Sequence, residues 1–111
     1  MANAKSTPPT GPVAKRSEDE HVLRGFRTWA EGHGAGAAAR SAARLFTVQL
    51  TEVDFDVELV TSYSNPEDVA RARALAGDFS RWWDGDHGDV GVARNVVILD
   101  VQGDRIATQR L

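Results

Sequence analysis

The sequence predicts an α+β fold: two N-terminal helices, a third capped helix, and a small, mostly antiparallel sheet that ends in a C-terminal β-hairpin. Three observations carry that prediction. Apolar residues recur at helical spacing in three segments; the spacing changes to strict alternation after Thr51; and Gly103-Asp104 separates two strand-like runs as a hairpin turn would. The expected order is α-α-β-α-β-β. A chain of 111 residues is expected to hold one domain.

Residues 1–16, MANAKSTPPTGPVAKR, hold three of the four prolines and no aromatic. So little apolar surface does not offset the entropy of ordering, and the segment reads as a disordered arm preceding a domain at 17–111. Ser17, three residues before Glu20, reads as a capping box, and Glu18 and Asp19 complement the dipole of a first helix from about Glu18 to Glu31. Val22, Phe26, Trp29 and Ala30, with Leu23 beside them, recur at helical spacing along it. Gly32-His33-Gly34-Ala35-Gly36 ends it, and an alanine-rich second helix is expected from Ala37 to Phe46, with Arg40 and Arg44 on one side. Phe46, Val48 and Leu50 also alternate, in the opposite phase to the strand that follows, so a short strand, or a bulge where the phase flips, is expected to start near Phe46.

In that strand Val53, Phe55, Val57 and Leu59 alternate with Glu52, Asp54, Asp56 and Glu58, the pattern of a half-buried strand. Asn65-Pro66-Glu67-Asp68 then reads as a helix start: an asparagine cap, a proline at the first position and two carboxylates at the dipole. Val69, Ala72, Leu75, Ala76, Phe79, Trp82 and Trp83 share one broad face of this third helix, expected to stop near Asp84. Val96-Val97-Ile98-Leu99 reads as a strand covered on both faces, and Arg105–Leu111 as an edge strand.

Composition narrows the function classes. Cysteine is absent, which excludes disulfides, thiolate nucleophiles and cysteine-based zinc sites. No metal and no cofactor is expected. No apolar run is long enough for a membrane helix and no secretory leader is legible, so a soluble, cytoplasmic protein is expected. Residues 1–16 carry Lys5, Lys15 and Arg16 and no acid; the remainder carries ten basic and sixteen acidic side chains, a net −6. An acidic body argues against broad phosphate-backbone binding. A nucleic-acid accessory built on the arm with Arg40 and Arg44 is the third reading.

Asp84, Asp86, His87 and Asp89 resemble a calcium loop superficially, but Asp89 stands where an EF-hand requires glycine and Asn95 where it requires glutamate. The glycines at 32, 34 and 36 precede a helix but follow no strand, so they do not make a dinucleotide fingerprint. The acidic row Glu52, Asp54, Asp56 and Glu58 reads as a solvated face, ion-paired if the sheet brings Arg94, Arg105 or Arg110 alongside. Trp82, Trp83, Trp29 and Phe26 concentrate the aromatic surface and are the candidate contact residues if it serves an interface.

The helix ending in Trp29-Ala30-Glu31-Gly32 and the closing run Val101-Gln102-Gly103-Asp104-Arg105-Ile106 resemble the ends of NTF2-like α+β cone domains. That resemblance implies a pocket between a curved sheet and helices in which an Asp or His serves isomerisation or cyclisation, here His87 with Asp86 or Asp56. The leading expectation is a non-enzymatic assembly module that self-associates and binds a protein partner; the cone-like ligand-binding domain is the alternative.

Overall fold

Five strands form one sheet in the order β1-β2-β3-β4-β5, sequential neighbours throughout. The structure, a computed structural model, describes residues 15–87 and 92–111, with residues 86, 87 and 92 described by backbone alone. In chain order the elements are β1 (Arg16–Glu18), α1 (Glu20–Glu31), α2 (Gly36–Arg40), β2 (Ala42–Gln49), β3 (Asp54–Thr61), α3 (Val69–Arg81), a π-helical turn (Trp82–His87), β4 (Val92–Leu99) and β5 (Arg105–Arg110). The α+β class and the mostly antiparallel sheet stand, with two more strands than expected.

Both added strands come from sequence that resembled helix or arm. Residues 1–14 of the expected arm lie outside the described residues, but Arg16–Glu18 pairs with Phe46–Val48 as β1. Ser17 therefore lies in a strand, and the α1 cap is Asp19, whose carboxylate accepts from the Val22 N–H at 3.0 Å. The second helix ends at Arg40, and Ala42–Gln49 becomes β2. Alanine favours helix, but over so short a run that preference is small, and pairing of β2 with β1 and β3 on both sides overrides it.

The β2–β3 hairpin is antiparallel, and α3 is the crossover that lets β4 run parallel to β3. Asn65–Asp68 forms a turn that holds a cis Asn65–Pro66 peptide; α3 begins at Val69 and its N-cap is Asp68, not Asn65. β4 and β5 close as an antiparallel hairpin. Its turn is longer than the two residues expected: Asp100 N–H donates to Asp104 O, the Asp100 carboxylate accepts from the Gln102 and Asp104 N–H groups, and Gly103 sits at φ 89°.

Among the described residues, helices pack on one face of the sheet only. Phe26 and Ala30 of α1, Leu75 and Phe79 of α3, and Leu45, Val57, Leu59, Val96 and Ile98 of the strands form one fully buried cluster. Gly25 admits the Trp82 ring against α1: a Cβ there would lie 3.2 Å from Trp82 Cζ2. Burying the eight largest of these side chains is the main source of stability, each contributing about 1.5–3 kcal/mol of transfer free energy.

Candidate functional site

The face of the sheet away from the helices is the surface that no described element covers. Alternation along β3 sends Val57 and Leu59 to the helices and Asp54, Asp56, Glu58 and Val60 to the other side. Pairing register then sets three rows across that open face. One joins Arg44, Val60, Leu99 and Arg105; the next joins Glu18, Phe46, Glu58, Val97 and Thr108; the third runs from Arg16 and Val48 to Asp56, then Asn95 and Arg110.

Irregular register between Phe55 and Val57 turns the successive residues Arg94 and Asn95 of β4 to this one side. Arg94 holds the Asp54 carboxylate at 2.8 and 2.9 Å through two nitrogens, and Asn95 Nδ2 donates to Asp56 at 3.1 Å. At the opposite edge Arg16 Nε meets Glu58 at 2.8 Å, and Arg44 grips Glu18 through two bonds of 2.9 and 3.0 Å. The hydrogen bonds from Arg44, then its charge and that of Arg16, hold the Glu18 carboxyl below the usual glutamate range, and Glu18 raises Arg44 in return.

Beneath these charges lies an apolar floor of Phe46, Val48, Val60, Val97 and Leu99. The Arg16 and Arg44 guanidinium groups stand 3.8 and 4.9 Å from the centre of the Phe46 ring. Phe46 is thus covered by two arginines lying over its ring, and Phe46, Val97 and Leu99 are buried outside the helix-side core cluster. A shallow depression lined by Arg44, Glu58, Val60, Leu99 and Val101 crosses the face, and Val101 at its end is 62% exposed.

The expected acidic row therefore divides. Asp54, Asp56 and Glu58 share the open face with the partners just described, and Arg94 is the one of the three proposed arginines that pairs with them. Glu52 lies in the β2–β3 turn, outside the strand. The expected aromatic contact residues are placed differently. Phe26 is fully buried and Trp82 and Trp83 are 5% exposed, stacked edge and face with Phe79 inside the core, so their surface already serves the fold. Trp29 is half-buried, stacked on His33 at 4.3 Å.

Asp56 faces away from the helices, and the space between sheet and helices is filled by the aromatic core, so Asp56 lines no pocket there. Asp86 and His87 fall in the π-helical turn with side chains outside the description, and Asp89 lies outside the described residues. Among the described residues no three His, Asp or Glu side chains gather as a metal site. Arg40 and Arg44 do not share a helix face: Arg40 ends α2 beside Glu31, and Arg44 lies in β2.

The floor was partly legible, since the alternation of Phe46 and Val48 was visible without a partner strand to interpret it. No helix among the described residues is long and apolar enough to cross a membrane. No family model matches the chain, and neither a curated protein nor a solved structure matches it.

Proposed function

We propose that the chain is a small non-enzymatic protein-interaction module that self-associates through the open face of its sheet. The observation that carries this reading is a sheet face that no described element covers, where the half-buried Val48 and Val60 are fenced by matched opposite charges. Interfaces combine an apolar centre with a polar rim, and these arginines are already paired, so less charge must be newly desolvated on contact. The pattern also suits a second copy. Asp54, Asp56 and Glu58 run along the middle strand, with arginines on the strands to both sides, so a copy turned across the face sets cations over carboxylates.

Sedimentation velocity across the micromolar range tests this with Val48→Glu and Val60→Glu, two half-buried positions on the face. The wild type is expected to associate with concentration and both variants to remain monomeric with unchanged circular dichroism. A wild type that stays monomeric throughout, or variants that associate as the wild type does, overturns the proposal.

A further inference from the structure

The sheet has two edges of unequal character. β1 offers three residues, Arg16–Glu18, whereas β5 offers six, Arg105–Arg110. The Leu111 N–H donates to Arg94 O, so antiparallel alternation turns the backbone groups of Thr108 and Arg110 away from β4 and toward the outer edge. Thr108, Gln109 and Arg110 are exposed.

Charge at this edge differs from charge on the rest of the face. Arg16, Arg44 and Arg94 are each neutralised by a carboxylate at 2.8–2.9 Å. Arg105 and Arg110 have no ion pair among the described residues, although the domain as a whole is acidic. Register puts both on the open-face side, opposite Leu99 and Asn95. The run Arg105-Ile106-Ala107-Thr108-Gln109-Arg110 contains no acid, so pairing β5 with β5 of a second copy would bring four arginines together without compensation. An extended segment with carboxylates at alternate positions meets the opposite situation: the edge supplies main-chain hydrogen bonds, and the arginines supply the specificity.

We propose that the outer edge of β5 binds an extended acidic segment of a protein partner by strand addition, with Arg105 and Arg110 reading its carboxylates. This deepens the reading of the chain as a protein-contact module but uses the edge instead of the face, so the two are separable.

The test is fluorescence anisotropy of the full chain with a labelled peptide of alternating Val and Glu. Controls are the same peptide with Lys for Glu, and the Val-Glu peptide N-methylated at alternate residues, which keeps its charge but cannot join a strand. The acidic peptide is expected to bind, with the Lys and N-methylated peptides at least about tenfold weaker, a difference of about 1.4 kcal/mol. An R105E/R110E variant is expected to reverse the preference toward the Lys peptide while sedimenting as the wild type does. Absence of acidic-peptide binding, equal binding of the N-methylated or Lys peptide, or an unchanged preference in the variant each overturns the proposal. The peptide comparison needs no variant, so it stands even if R105E/R110E fails to fold. A monomeric wild type that binds the acidic peptide refutes only the face proposal.

Discussion

Thr61 illustrates how much one buried hydroxyl connects. Its Oγ1 donates to Leu99 O at 2.7 Å and accepts from the Tyr63 N–H at 3.1 Å, tying the end of β3 to β4 while the residue is 3% exposed. Thr61→Val keeps the shape and strands both partners, so it is expected to cost about 1–3 kcal/mol in urea denaturation. A loss too small to measure would show that the backbone groups find other partners. Glu18 gives a pH signature. Its carboxyl titrates lower in the folded than in the unfolded chain, chiefly through the Arg44 hydrogen bonds. The stability it contributes is therefore complete above the unfolded glutamate range and lost as pH falls through its lower folded value. Thermal melts of Glu18→Gln and wild type are expected to converge as the pH falls below the usual glutamate range; a constant difference would contradict the pairing. Single residues were the least legible level of the sequence. The periodicity of Trp82 and Trp83 marked a broad apolar face, but only packing against Phe79 shows that their rings are consumed inside the domain.

Elements were legible where the chain's own pattern decides them. α1 carries its cap and apolar stripe, and α3 carries the broadest apolar face, so both appear within a few residues of their expected bounds. β2 was legible only in its second half, where Phe46 and Val48 alternate towards Leu50; Ala42-Ala43-Arg44-Leu45 suits a helix in isolation, and pairing with β1 and β3 decides otherwise. β1 was hidden for the same reason, as a three-residue strand at the end of a proline-rich segment. The β4–β5 turn depends on backbone geometry at one position. Gly103 has φ 89° and nothing within 4 Å of a Cβ built there, so Gly103→Ala tests conformation alone. It is expected to cost about 1–2 kcal/mol, read as a lowered denaturation midpoint with an unchanged slope. A neutral result would mean that the turn adopts another conformation in solution.

At the scale of the whole molecule, the helices seal one face of the sheet, and among the described residues no element covers the other face, where arginines lie over Phe46. The sealed side carries stability. Phe79, fully buried against Phe26, Trp82 and Trp83, is expected to cost about 3–5 kcal/mol when replaced by Ala, a large share of the roughly 5–15 kcal/mol available to such a domain. Calorimetry showing a cooperative transition at the wild-type temperature would contradict the packing described. The open side carries the proposed contacts, and its acidic strand and the Arg94 partner were legible in sequence, whereas Arg16 and Arg44 were not, because they come from strands that only pairing reveals. The most direct test of that side is a dilution series of two-dimensional amide NMR spectra on the wild-type chain. Concentration-dependent shifts are expected to concentrate on the open-face rows that hold Val60 and Phe46 with Val97, leaving the outer surfaces of α1 and α3 unmoved. Shifts confined to those helices, or spectra that do not change with concentration, would contradict the account.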